Sequence, residues 1–259
     1  MGWTSGIELM SDDILLKKIN NHVALLTLNR PDQANSLSHD LFIAIKDQLV
    51  ALDKDEDVRV VMMTGAGNKI FCAGVDLKER GAMSEEEIWE SRRVAVKPCF
   101  DSFRQFSKPI IAAINGLALG GGAEIALACD IRLATPNAQF AHTEINWGMI
   151  PAAGAHQRLR KVIGIGMAKE IMFTGRKLEA EEAGRLGIYN HIYEPDALLP
   201  EAMKMANTIA GHSPLAIRQS KKVYDTYTYS DDAFDFEYQA SIECYTDGNA
   251  MTEAKRFKK

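Results

Sequence analysis

The sequence predicts an α/β fold, on three observations. Residues 58–64 (VRVVMMT) form a β-branched, apolar run that breaks at Gly65-Ala66-Gly67-Asn68. A second apolar stretch, residues 109–119, runs into Gly120-Gly121-Gly122 and then into a helical pattern over 123–129. Further segments on either side carry apolar residues at helical spacing. Strand, loop and helix alternating along one chain is the pattern of an α/β domain.

Taken in order, Val23–Leu28 (VALLTL) is a short apolar run ended by Asn29-Arg30-Pro31-Asp32, a strand followed by a breaker. Between residues 38 and 53, Leu41, Ile45, Leu49 and Leu52 recur at the spacing of one helix face. Ser84 followed by Glu87 reads as a capping box that opens a helix continuing through Trp89 and Val94. After Ala134 the pattern turns mostly helical, over 166–173, 179–186, 201–210 and 214–224. No internal repeat, low-complexity tract or clear linker interrupts it.

The chain is long enough, at 259 residues, to bury a substantial core in one large domain. Its formal net charge of −5 argues against nucleic acid as a partner, which calls for a basic stripe. It does not exclude an anionic ligand, because backbone amides at a helix N-terminus bind one locally. Cys72, Cys99, Cys129 and Cys244 are far apart and form no CxxC pair, so neither a metal site nor a disulfide framework is expected. Residues 1–10 lack the apolar character of a signal peptide, and no run of about 18 apolar residues is present to span a bilayer. The expectation is a soluble, cytoplasmic protein without a membrane partner.

Three segments could carry chemistry. In residues 115–124 (NGLALGGGAE) a strand ends in three glycines and a helix begins, with Glu124 in its first turn. Glycine lets a ligand approach the backbone closely, and the helix N-terminus favours negative charge, which is how an oxyanion hole can be built. Close packing of helix on strand explains the same glycines equally well. In residues 71–77 (FCAGVDL), small residues follow a strand, so Ala73 could offer a second inward-facing amide; a tight turn with Asp76 capping the next segment is the alternative. Residues 140–151 (FAHTEINWGMIP) place Glu144 among apolar neighbours, a setting suited to proton transfer, although an isolated glutamate is more often a surface residue.

Together these pieces resemble the crotonase (enoyl-CoA hydratase/isomerase) superfamily. The matching residues are Leu28-Asn29-Arg30-Pro31 with Asn35, Phe71-x-Ala-Gly-x-Asp76, Asn115-Gly-x-Ala-x-Gly-Gly-Gly-x-Glu124, Cys129-Asp130, Glu144-x-x-x-Gly148-x-x-Pro151, Gln157-Arg158-Leu159, and Thr174-Gly175 with Ala183 and Gly187. The resemblance spans residues 23–187 and fades after about Ser220. It implies a spiral of repeated ββα units, with a CoA-binding and catalytic core over 1–200 and a helical trimerisation region over 201–259. It also implies a homotrimer or homohexamer.

Carried over by position, the amides of Ala73 and Gly121 would bind the thioester oxygen. Gln33, Ala34, Ala73, Gly74, Val75, Asp76 and Gly121 would hold the acyl-CoA thioester, with the acyl pocket along the helix that carries Trp89. Hydratases of the superfamily keep glutamates at the positions of Glu124 and Glu144, and this chain has both. The resemblance therefore implies an enoyl-CoA hydratase, a hydro-lyase, in which Glu144 supplies the α-proton and Glu124 activates water. No metal and no cofactor beyond the substrate's own CoA is expected.

Some residues depart from the common hydratase pattern. His142-Thr143 replaces a usual Gln-Pro, and Ala152-Ala153-Gly154-Ala155-His156 replaces a glycine-rich stretch with a threonine. His142 could tune Glu144 or contact substrate, but a hydrogen-bonded structural role is the expectation for it and for His156. Residues 144–148 (EINWG) resemble the hydroxycinnamoyl-CoA hydratase-lyases, which generally lack a glutamate at the Glu124 position. That activity and an enoyl-CoA isomerase are the enzymatic alternatives. A non-catalytic RNA-binding or scaffolding relative would leave both glutamates unexplained.

Overall fold

The computed structural model describes residues 14–228 and, beyond them, Asp232, Asp235, Tyr238, Gln239 and Ile242. Its opening strands β1 (Leu15–Asn20) and β2 (Val23–Leu28) pair antiparallel around a two-residue turn in which Asn21 and His22 both have positive φ. Helix α1 (His39–Lys54) begins where Ser38 accepts the Leu41 amide, and its buried face is Leu41, Ile45, Leu49 and Leu52, as the spacing predicts. Strand β3 (Val60–Gly65) is buried along its whole length, as a parallel strand covered on both faces must be.

The chain then winds in repeated units. Each unit gives one strand to a six-stranded sheet, one to a four-stranded sheet, and then a helix. β3 is followed by β4 (Ile70–Cys72), β5 (Ile110–Ile114) by β6 (Leu117–Leu119), and β7 (Ile131–Ala134) by β8 (Gln139–Ala141). The larger sheet has the order β1-β2-β3-β5-β7-β10, with β10 at His191–Ile192; the smaller is β4-β6-β8-β9, with β9 at Leu178–Glu179. The pairings β4–β6 and β6–β8 are parallel. This is the expected ββα spiral.

The apolar stretch at 109–119 is two strands in two sheets, not one. Asn115 makes the break: its side chain donates to the Gly65 and Gly67 carbonyls at 2.9 and 2.8 Å and accepts from the Gly65 amide at 3.2 Å. Gly116 completes it, because a Cβ there would lie 2.0 Å from the Lys69 carbonyl oxygen. A motif asparagine nearer the N-terminus acts in the same way. Asn35, buried and at φ 51, donates to the Ala66 and Ile70 carbonyls and so fixes the loop between β3 and β4.

The capping box forms as predicted. Ser84 accepts from the Glu87 amide and Glu87 accepts from the Ser84 amide, starting α3 (Glu85–Ser91) after α2 (Leu77–Ala82). The helix does not run on as regular α structure. A π-helical turn over Arg92–Val96 joins it to α4 (Lys97–Gln105).

The main core lies between the two sheets, α1 and α4, and includes Leu26, Phe71, Phe100 and Phe140. α5 (Gly121–Ala128), α6 (Ala155–Ile163), α7 (Ile165–Thr174) and α8 (Ala180–Arg185) follow in order. α9 (Pro195–Ala210) covers the outer face of the larger sheet, burying Leu198, Ala202, Ala206 and Ala210 against Val23, Leu25, Val60 and Met62. It starts earlier than its periodicity indicates and runs across the expected boundary at residue 200. α10 (Pro214–Thr228) is the last described helix. No helix among the described residues is long and apolar enough to cross a membrane.

Cys72, Cys99 and Cys129 are all buried free thiols, and burial pushes Cys72 and Cys129 up to about 12, far from thiolate chemistry. Cys244 lies outside the described residues.

Candidate active site

Sheet register assembles the site. Cys72 pairs with Ala118, and Leu119 with Ala141, so β4, β6 and β8 end side by side and parallel. The segments that leave their C-terminal ends are the three read from sequence: Ala73-Gly74-Val75, Gly120-Gly121-Gly122-Ala123-Glu124 and His142-Thr143-Glu144. They share one pocket, lined by Ala73, Gly74, Val75, Gly120, Gly121, Glu124, Thr143, Glu144, Ala152 and Ala153.

Glu124 sits in the first turn of α5 and is buried. Its Oε1 accepts the Ala153 amide at 2.8 Å, which ties the residues after Pro151 to the helix that carries the carboxylate. Glu144 opens a 3-10 turn, Glu144–Trp147, closed by Gly148 in the left-handed region at φ 67. Both Glu144 carboxylate oxygens are buried without a hydrogen-bond partner among the described residues. Gly120, at φ 52, keeps the wall open beside it: a Cβ there would lie 3.6 Å from Glu144 Oε1. The two carboxyls therefore enter one pocket from two different strand ends.

The three glycines have different tasks. A Cβ on Gly122 would fall 2.2 Å from the Cys72 carbonyl oxygen, so Gly122 serves close packing of α5 on β4. Gly121 is the first residue of α5, where an amide has no partner within the helix. A Cβ on Gly121 would meet Leu37 Cδ1 at 3.1 Å and Val75 N at 3.6 Å. The Gly121 and Val75 amides are thus neighbours, and neither donates to a backbone carbonyl among the described residues.

Ala73 requires a correction. Its amide, expected as the second oxyanion donor, instead donates to the Ala34 carbonyl at 3.1 Å and is committed within the fold. Sequence reading could not separate Ala73 from Val75, because a left-handed Gly74, at φ 95, lies between them and redirects the backbone. Gln33 and Ala34 form a 3-10 turn and its left-handed cap; the Ala34 carbonyl holds Ala73, and neither residue lines the pocket.

Asp76 caps α2, accepting the Lys78 and Glu79 amides, and pairs with Arg30 at 2.9 Å and Ser36 at 3.1 Å. Burial opposes its charge, but the hydrogen bonds from the Glu79 amide, Arg30 and Ser36 outweigh that and hold its carboxyl below the usual range. These contacts are structural, and Asp76 does not line the pocket.

The span expected as the Trp89 helix reaches the pocket through Arg92, not through Trp89. Trp89 packs with Met83, Ile88, Trp147 and Met149 and is not in the wall. Leu77, Arg80, Arg92 and Val96 are, from α2 and the π-helical turn. Arg80 and Arg92 are both buried, which their charge concealed, since arginines on a helix read as a solvated face.

Among solved structures, the fold aligns with an enoyl-CoA hydratase from Bacillus anthracis at a TM-score of 0.80 and 36% identity, over 90% of this chain and 91% of that one. The family model for enoyl-CoA hydratase/isomerase matches residues 18–250. The chain belongs to the enoyl-CoA hydratase/isomerase family. Among curated relatives it is similar to a putative enoyl-CoA hydratase/isomerase, YngF, of Bacillus subtilis, at 43% identity over 82% of this chain and 81% of that protein. It is also similar to a short-chain-enoyl-CoA hydratase of Clostridium acetobutylicum, at 38% identity over 91% and 90%.

Proposed function

We propose that this protein is an enoyl-CoA hydratase, a hydro-lyase that adds water across the 2,3 double bond of an acyl-CoA thioester. The observation that carries the reading is the convergence on one pocket of Glu124, Glu144 and two neighbouring amides that have no backbone acceptor among the described residues. In the reaction the thioester oxygen lies between the amides of Val75 and Gly121, which take up the charge that builds there as water attacks. Glu124, as carboxylate, removes a proton from the water while its oxygen bonds to the β-carbon. Its Oε1 accepts the Ala153 amide at 2.8 Å, which holds the carboxylate at the pocket wall. Ala152 lines the same wall, and in this reading its amide holds that water. Glu144, as carboxylic acid, delivers its proton to the α-carbon, and the enolate electrons return to form the C–H bond. The proton on Glu124 then goes back to Glu144 through solvent. CoA arrives on the substrate, and the chemistry needs no other cofactor.

The reading includes a homotrimer or homohexamer working in the cytoplasm, with residues 201–259 contributing to assembly. Support comes from the exposed apolar side chains of Ile165, Phe173, Leu215 and Val223 on α7 and α10. Light scattering at micromolar concentration is expected to give three or six times the chain mass; a monomer contradicts it.

The test of function is turnover of purified protein against crotonyl-, longer-chain, alicyclic and cinnamoyl-type CoA thioesters. Because Arg80 and Arg92 bring positive charge to the wall, the panel includes an enoyl-CoA ending in a carboxylate. At least one member is expected to be hydrated to its 3-hydroxyacyl-CoA. Failure of all with intact, folded protein overturns the proposal.

A further inference from the structure

His142 leaves β8 two residues before Glu144, and it does not have the partners expected of a structural histidine. The side chain is buried, at 1% exposure, with its ring set edge-on to Phe140, centroids 5.2 Å apart and planes at 88°. Neither ring nitrogen has a hydrogen-bond partner among the described residues. Its Nδ1 lies 3.8 Å from Glu144 Oε2, and both oxygens of that carboxyl also lack partners. Two polar groups, each buried and each without a hydrogen bond, thus face one another just beyond bonding distance. Leaving such groups unsatisfied costs stability, and an apolar side chain of similar size would avoid that cost. What the apolar side chain could not do is donate a hydrogen bond to Glu144.

We propose that His142 is a positioning residue for Glu144, donating its Nδ1–H to the carboxylate that Glu144 becomes during turnover. The inference rests on Glu144 as the α-proton group. When Glu144 acts, its O–H bond breaks, the α C–H bond forms, and a negative carboxylate is left with both oxygens buried. A neutral imidazole in the tautomer with its proton on Nδ1 can meet that charge, with Nε2 left as the bare acceptor. A small rotation of the Glu144 side chain closes the gap to hydrogen-bond length. The bond is then stronger in the charged state than in the resting acid, so it assists the step instead of merely tightening the ground state. Phe140 fixes the ring's plane, so the donor is aimed before the charge develops.

The experiment compares His142→Leu, which removes the donor, with His142→Gln, which replaces it by an amide N–H. Three quantities are read on each: kcat and KM for hydration, melting temperature, and the rate at which the enzyme exchanges the α-hydrogens of butyryl-CoA with deuterated water. That exchange needs the α-proton group and an oxyanion hole but no attack by water. His142→Leu is expected to lower kcat and the exchange rate together by about 10–100-fold, the worth of one hydrogen bond to a charged group. Its KM should stay within about threefold and its melting temperature should be unchanged or higher. His142→Gln should recover most of both rates.

A Leu variant with kcat within twofold of wild type overturns the proposal. So does an equal loss in the Leu and Gln variants, which marks a packing role, or a raised KM with both rates intact, which marks a substrate contact. Should the Leu variant fail to fold, His142→Phe, a planar ring without a donor, takes its place in the same comparison. Glu144→Gln run alongside separates the two layers of the argument. If that variant exchanges at the wild-type rate, the role of Glu144 itself is wrong. If it is inactive while His142→Leu is unimpaired, only the His142 proposal falls.

Discussion

Glu124→Gln and Glu144→Gln should each remove most of the hydration rate while leaving acyl-CoA binding nearly intact. A general acid or base typically contributes about 10²–10⁴-fold, and the amide of glutamine can neither take the proton of water nor give one to carbon. The substitutions preserve size, so the walls that hold the thioester stay in place. Glu124→Gln also keeps an oxygen for the Ala153 amide, whose hydrogen bond at 2.8 Å survives if the new side-chain oxygen takes that position. Stability should therefore change little, and any loss of rate reflects chemistry. Steady-state kcat, together with a thioester Kd from titration, checks both halves of the expectation. Because water addition and α-protonation belong to one reaction, the double variant should be hardly worse than the weaker single one. Near-normal turnover in either single variant would break the two-carboxylate assignment and return the isomerase reading.

The second large effect concerns Gly121. Gly121→Val is expected to lower kcat by about 10²–10³-fold, the cost of losing one oxyanion donor. A valine there puts methyl groups against Leu37 Cδ1 and into the space beside the Val75 amide. Leu37 is the far end of a flexible side chain and can shift, so the protein should still fold. The thioester oxygen cannot share that space. Gly122→Ala is the matched comparison, because its new methyl would strike the Cys72 carbonyl, a backbone atom that cannot move cheaply. Overpacking of that kind costs about 1–3 kcal/mol, so Gly122→Ala should lower the melting temperature by several degrees. Rate loss with little melting change at residue 121, and the reverse at residue 122, is the expected contrast. A folded Gly121→Val enzyme with near-native kcat would remove Gly121 from the oxyanion hole.

Much of this site is legible in the sequence, because its parts announce themselves locally. A strand running into Gly120-Gly121-Gly122 with a glutamate following is visible without coordinates, and so is Glu144 among apolar neighbours. The spiral is less legible, since its second sheet is built from strands of three residues, Ile70–Cys72, Leu117–Leu119 and Gln139–Ala141, too short to show a period. The break inside residues 109–119 depends on what Asn115 and Gly116 touch across the chain, and periodicity carries no such information. Ala73 stands two residues from Val75, whose amide has no backbone acceptor among the described residues, and the left-handed Gly74 between them redirects the backbone. The sequence suggests a satisfied structural role for His142; its lack of partners among the described residues is a property of the packed interior, not of its neighbours in the chain. Arg80 and Arg92 escape notice for the opposite reason, as charges that look solvated.

The central claim is that this pocket places water on the β-carbon of an enoyl-CoA. Its most direct test is the product formed in water enriched in oxygen-18, using whichever thioester the panel shows is turned over fastest. The account predicts a 3-hydroxyacyl-CoA carrying the heavy oxygen at C3, with the thioester intact and one solvent hydrogen at C2. An acyl-CoA of unchanged mass with its double bond moved, or a free acid carrying the label with CoA released, would contradict it.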